Sequence, residues 1–332
     1  MAVDVSIVVA IYNAEEYINN CLDMLTRQTL KNIEIICVDD GSVDESLKML
    51  QAYSSRDERI RVFTEENKGA GAARNRGLTE ATGKYMLFLD CDDFFEPDMV
   101  QLAYEKAEEQ GAEIVIYKSD QYNMGSGEFV YENWAMMEWA LPPYEPFGYR
   151  QISTNIFKAF VGWAWDKLYL REFVAKNDLK FQEQRTTNDA LFVFSALVLA
   201  EKISTVRKIL IHRRVDTADS LSKTREKSWD NFYRMLLALR QFLKDREKWN
   251  ELEKDFVNYA LHFSLWNYNT LAEPTKTKLR NKLVSEWFEE LGIRQRHKEY
   301  FYDEYEYSQY EAMLKLQDTP LSRIHISEPT RH

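Results

Sequence analysis

The chain has 332 residues, 45% of them hydrophobic, which is enough for one large domain with an appendage or for two domains with buried cores. Its formal net charge is -11 and it contains no Lys/Arg block, so a general nucleic-acid binder is disfavoured. A phosphate compound, if bound, has to be held locally by a metal, by backbone amides or by a few arginines.

Cys21, Cys37 and Cys91 are scattered and fit no metal-ligand spacing, so reduced core thiols of a cytosolic protein are expected. The N-terminus carries no basic leader, and the apolar run Val5 to Ile11 is too short for a signal segment or a membrane span. A cytoplasmic location is the expectation, with peripheral contact at the inner face of a membrane left open.

Val5 to Ile11 is a β-branched, uncharged run, the pattern of a strand covered on both faces. It ends at Tyr12-Asn13, and Asn13 with Glu16 predicts a capping-box-like helix start, with Tyr17, Ile18, Cys21, Leu22 and Leu25 at helical spacing. The unit repeats: a strand over Ile33 to Val38, the turn Asp39-Asp40-Gly41-Ser42, and a helix capped by Ser42 and Glu45. A third strand, Ile60 to Phe63, precedes the glycine turn and small-residue helix Asn67 to Gly77. A fourth strand over 84–90, a helix over Pro97 to Gln110 and a fifth strand over Ala112 to Tyr117 complete the series. Strands alternating with helices of about ten to fifteen residues predict βαβ crossovers and a mostly parallel sheet, whose ligands bind at the carboxyl ends of the strands. Tyr12-Asn13, Asp39-Asp40 and Asp90 to Asp93 all fall at those ends.

From about Tyr122 to Phe160 the rhythm gives way to aromatic, Gly- and Pro-rich sequence, the pattern of a long connection that shapes a pocket. Order resumes at Val161 to Tyr169; Asn188-Asp189 opens an apolar helix to about Ala200, and Ile209 to Ile211 is a short strand leading into His212-Arg213-Arg214. Helical spacing over Lys227 to Leu243, Trp249 to Leu271, Pro274 to Leu291 and Lys298 to Leu316 predicts a C-terminal helical appendage. The expected division is 1–222 as one catalytic domain (1–118 nucleotide-binding half, 119–222 acceptor half), 223–316 as the appendage, and 317–332 as a disordered or foreign tail. The aromatic, acidic stretch Glu299 to Tyr307 fits packing against neighbouring helices or, alternatively, contact with an acceptor or a membrane surface; the aromatic helices also leave homo-oligomer pairing open.

The strand 84–90 ends in three carboxylates within four positions, Asp90, Asp92 and Asp93. Unpaired neighbouring carboxylates repel and resist desolvation, so a cation is expected there. Asp90 and Asp92 have the chemistry of a hard divalent site, Mn²⁺ or Mg²⁺, that keeps positions free for phosphate oxygens.

VSIVVAIYN (5–13), CVDDGS (37–42), NKGAGAARNRG (67–77) and ATGKYMLFLDCDDFFEPD (81–98) together resemble the family 2 glycosyltransferases of the GT-A fold, of the bacterial cell-surface polysaccharide type. The resemblance is dense over 3–118 and thinner to about 222. It implies that Ala10, Tyr12 and Asp40 line a nucleobase pocket, Tyr12 stacking on uracil and Asp40 accepting from its ring N–H. It places Arg74 near the diphosphate, Asp90 by the ribose and metal, and Asp92 as the principal metal ligand, while Asp93 is either a third acid of the site or a cap. Asp39 is expected to brace the turn or Arg74. In the family a Glu-Asp pair opens a later helix with the Asp as catalytic base; here the pair is Asn188-Asp189, so Asp189 is the base and the Glu is absent. His212 matches a position that either completes the metal site or serves as a structural hydrogen-bonder.

Ala10 stands where many relatives have Pro. With no Gln-X-X-Arg-Trp motif and no membrane spans, transfer of a single sugar from a UDP-sugar to a glycan or lipid-linked acceptor is expected, rather than processive synthesis. Two rivals are a non-catalytic nucleotide- or glycan-binding protein and a sugar nucleotidyltransferase, the latter disfavoured because Ala10 to Asn13 is not a glycine-rich, basic phosphate loop.

Overall fold

A computed structural model describes residues 2–215 and 221–315, without the side chains of 221–223. The segment 317–332, read from sequence as a tail, lies outside the described residues. The chain divides into two compact units, Met1–Trp249 and Asn250–His332.

The first unit begins with four parallel strands, β1 (Val5–Ile11), β2 (Ile33–Asp39), β3 (Ile60–Thr64) and β4 (Tyr85–Asp90), joined by α1 (Ile18–Thr26), α2 (Ser46–Ser54) and α3 (Ala70–Glu80). Every residue of β2 is buried, as is every residue of β1 except the half-buried Ala10, which is what uncharged β-branched runs allow between two helical layers. Register aligns the strand tips: Ala10 stands opposite Asp90, and Ile11 opposite Asp39. The carboxyl-end rim inferred from sequence is therefore a single edge.

Beyond β4 the sheet is mixed. After β5 (Phe94–Phe95) and α4 (Met99–Gln110) come β6 (Ile114–Asn123), β7 (Phe129–Tyr131), α5 (Ile156–Ala159), β8 (Lys167–Leu170), α6 (Arg171–Lys176), α7 (Ala190–Leu199), β9 (Ile203–Val215) and α8 (Asn231–Asp245). Among the described residues, nine strands form one sheet in the order β3-β2-β1-β4-β8-β6-β9-β5, with β7 on β6. The strand next to β4 is the late, antiparallel β8, and β6 lies beyond it. β9 is longer than the expected Ile209–Ile211 because it runs parallel to β6 through two register shifts, at Tyr117/Lys118 and Lys118/Ser119.

The expected helix caps serve another purpose. Asn13, at φ 48°, accepts the Val43 amide on Oδ1 (2.9 Å) while its own amide donates to Ser42 Oγ (2.9 Å). Ser46 Oγ accepts the Ala14 amide at 2.8 Å. Short polar side chains satisfied across two loops need not cap their own helices, so α1 and α2 start later than the capping pattern predicts.

In α3, Gly77 lies directly on β1, where an added Cβ would overlap Val8 Cγ1. Gly77→Ala is expected to lower unfolding stability by about 1–3 kcal/mol, read as a reduced urea midpoint at unchanged slope.

The second unit is helical: α9 (Trp249–Thr270), then α10 (Thr275–Lys282) running through a π turn (Leu283–Trp287) into α11 (Phe288–Glu290), and α12 (Glu304–Lys315). Part of the aromatic-acidic stretch packs inward. Phe301 is buried 5.2 Å from the Tyr307 ring, and Tyr302 Oη donates to Asp255 at 2.7 Å, whereas Tyr305 is 71% exposed. Among the described residues no helix is long and apolar enough to cross a membrane.

Candidate active site

The rim is built by backbone-anchored acids. Asp40, buried at the end of β2, accepts the amides of Lys68 and Gly69, one on each oxygen and both at 2.8 Å. It thereby fixes the loop ahead of α3, where Gly69 adopts φ 95°, a conformation that favours glycine. Each Asp40 oxygen keeps a second lone pair. Tyr12, on the same rim, is 51% exposed. Asp39 accepts from Thr64 Oγ1 (3.0 Å) and the Ser42 amide (3.3 Å), so it braces the turn and has no bond to Arg74.

Arg74 is the buried cation of the site. Its guanidinium donates to Asp90 Oδ1 (2.5 Å) and to Asn188 Oδ1 (2.7 Å), and it lies 5.6 Å from the Phe181 ring centroid. Burial works against its charge, but Asp90 and Asp189 outweigh that and hold its pKa above the ordinary arginine value. Its Nε is buried without a hydrogen-bond partner. Asn188 thus retains the acceptor oxygen that meets Arg74 while contributing no negative charge. This arrangement depends on Gly71, where a Cβ would overlap the Gln182 carbonyl, and the Gln182 amide in turn donates to the Asn188 carbonyl at 3.0 Å.

The three acids after β4 differ in environment. Asp93 is buried and accepts the Arg214 amide (2.9 Å), tying the β4 tip to β9, and burial with the charges of Asp92 and Asp90 pushes its pKa well up. Asp92 is half-buried, its pKa pushed up to about 6 by desolvation and then by Asp90, with Arg214 and Arg213 opposing. Asp90 is partly exposed and bound to Arg74.

Asp189 precedes α7. Burial raises its pKa, Arg74 opposes the rise, and Asp90 adds to it. Behind it lies a pair that sequence reading left without a role: Lys167, fully buried, donates to Asp166 Oδ1 (2.5 Å) and to the carbonyls of Trp163 (2.8 Å) and Val161 (3.0 Å). Burial, partly offset by Lys167, pushes Asp166 up to about 6. The signal was present in sequence as an Asp-Lys dipeptide inside an aromatic, apolar run.

His212 has both ring nitrogens engaged, Nδ1 with Asp120 Oδ1 (2.6 Å) and Nε2 with Glu96 Oε1 (3.1 Å), on strands paired at Phe94–His212 and Asp120–His212. Among the described residues no group of three His, Cys, Asp or Glu side chains is assembled to hold a metal, so Asp90, Asp92 and His212 do not form a closed ligand set. Asp90 and Asp92 nonetheless fit a hard divalent ion. Both are oxygen donors, Asp90 raises the pKa of Asp92, and a set with few protein ligands leaves positions for phosphate oxygens.

A sheet edge of this kind, with paired acids at the tip of β4 and a buried arginine beside them, has the chemistry to hold a cation and a phosphate-bearing ligand. The chain belongs to glycosyltransferase family 2: the model of Glycosyl transferase family 2 matches residues 6–175. EpsH of Bacillus subtilis (strain 168), named as a glycosyltransferase, is 31% identical over 285 residues, covering 84% of this chain and 80% of EpsH. The cholesterol galactosyltransferase of Borreliella burgdorferi is 27% identical over 329 residues, covering 95% of this chain and 90% of that protein. Among solved structures, S. aureus TarS 1–349 in complex with UDP matches with TM-score 0.62 at 20% identity, covering 92% of each chain. The fold is GT-A, as the four sequence motifs implied.

Proposed function

We propose that this glycosyltransferase moves one sugar from a UDP-sugar to a glycan or lipid-linked acceptor by a single inverting displacement. The observation that carries the reading is the cluster Asp90–Arg74–Asn188 with Asp92 and Asp189 around it, at the aligned tips of β1, β2 and β4. Structural neighbours support a nucleotide-sugar donor, and S. aureus TarS, solved with UDP and with UDP-GlcNAc, favours the uridine nucleotide; a Pyrobaculum calidifontis mannosyltransferase has been solved with GDP-Man and Mn²⁺.

In this reading Tyr12 stacks on the uracil and Asp40 accepts from the base, with Ala10 lining the same pocket. Asp90 and Asp92 would hold Mn²⁺ or Mg²⁺, which would supply charge neutralisation for the departing diphosphate. Arg74 supplies a fixed cation beside it, oriented by its hydrogen bonds to Asp90 and Asn188. Asp189 takes the acceptor hydroxyl proton as the oxygen attacks the anomeric carbon. Its raised pKa makes it a stronger base than an ordinary carboxylate.

Calorimetric titration with UDP and with GDP, each with Mn²⁺ or with a chelator, tests the donor half. UDP is expected to bind more tightly than GDP, and Asp92→Asn should remove the Mn²⁺-dependent share of UDP affinity. Equal affinity for the two nucleotides, or a metal response intact in Asp92→Asn, contradicts the reading.

A further inference from the structure

Three tryptophans form a continuous aromatic ladder beside the rim. Trp165 is buried and stacked on Trp163 (4.6 Å between centroids, 20° between planes), and Trp134, 47% exposed, meets Trp163 edge-on at 5.3 Å. The ladder touches the site at two points. Lys167, beside Asp166 and within the field of Asp189, holds the Trp163 carbonyl. On the other side the Arg213 guanidinium lies 4.9 Å from the Trp163 ring, and the next residue, Arg214, is fixed by its amide to Asp93.

Around the ladder, exposed apolar surface is interleaved with matched charges. Phe129 and Tyr131 are 58% and 44% exposed, Lys118 pairs with Glu138, and Arg213 pairs with Glu132 at 3.1 Å. Two buried polar atoms there, Glu132 Oε2 and Arg213 Nε, have no hydrogen-bond partner. Buried polar groups are nearly always satisfied, so the free acceptor oxygen of the buried Glu132, two residues from Trp134, suits a ligand that carries a hydroxyl donor. A flat ring offers its face to the apolar C–H face of a sugar, whereas balanced charges give no cationic rim for an anionic lipid surface.

We infer that Trp134, with Trp163 behind it, is an acceptor subsite that stacks a saccharide ring, so that the acceptor presents at least one sugar to the protein and is not a bare lipid alcohol. This inference rests on the transferase reading above and names the substrate class of the same site.

Saturation-transfer NMR with methyl glycosides and disaccharides of glucose, galactose and N-acetylglucosamine, in the presence of UDP and Mn²⁺, tests it. Saccharide signals are expected to be saturated by the parent and by Trp134→Phe, and to weaken about tenfold for Trp134→Ala, a variant expected to keep its UDP affinity. Parent protein that binds UDP but contacts no saccharide overturns this inference and leaves the donor reading standing. So does sedimentation with phosphatidylglycerol vesicles that depends on Trp134 while saccharide contact does not. Failure of the parent to bind UDP overturns both.

Discussion

Replacing Asp189 by Asn is expected to lower sugar transfer by about 10²–10⁴-fold, the usual contribution of a positioned general base, while UDP affinity stays within about threefold of the parent. The variant keeps the shape of the side chain ahead of α7 and one acceptor oxygen, and removes the proton-accepting charge. It should not unfold. Burial holds the native pKa of Asp189 above its unfolded value, so its protonated form stabilises the fold at low pH and that contribution is lost as pH rises through the native pKa. At neutral pH the charged form is therefore a burden on stability, and Asp189→Asn should melt at or above the parent temperature. The acid limb of kcat against pH in the parent should have its midpoint above the ordinary aspartate value, with activity falling as pH drops through it. Full turnover in the variant would remove Asp189 from the mechanism.

Arg74→Gln is expected to cost about 10²–10³-fold in transfer, because a buried cation aimed at developing charge is replaced by a dipole. Two consequences separate this from a structural lesion. Arg74 opposes the rise in Asp189, so its loss should move the acid limb of the pH profile to higher pH. Arg74→Lys restores charge but not the fork that reaches both Asp90 and Asn188, so it should recover the pH limb while leaving UDP binding about tenfold weaker. Arg74→Gln leaves the Asp90 carboxylate without its charged partner. Because the Asp90 side chain is 34% exposed, the loss of unfolding stability is put at about 2–4 kcal/mol, below that for a fully buried pair. A limb that stays in place in Arg74→Gln would show that Arg74 does not act on Asp189.

What could be read from sequence was set by local pattern. Uncharged β-branched runs ending in turns marked β1, β2 and β4, and a parallel arrangement required their polar ends to share an edge, as the pairing of Ala10 with Asp90 bears out. What could not be read depended on distant partners. β8 is four residues long and starts at Lys167, whose burial makes sense only with Asp166 and two loop carbonyls folded around it. His212 has partners 92 and 116 residues away, and nothing near it in the chain announces them. Asn188 looked like the loss of a family acid; its contact with Arg74 across 114 residues shows that the acceptor oxygen persists without the charge. Asn13 and Ser42 carried a correct signal, a side chain that seeks backbone, but they bond to each other's loops across the rim.

The most direct test is ¹H NMR of the reaction with Mn²⁺, an α-linked UDP-sugar and methyl glycoside acceptors. A single displacement with Asp189 as base predicts a product whose new linkage is β. An α-configured product, which would require a second displacement, or a panel of UDP-sugars left unconsumed, would contradict the account.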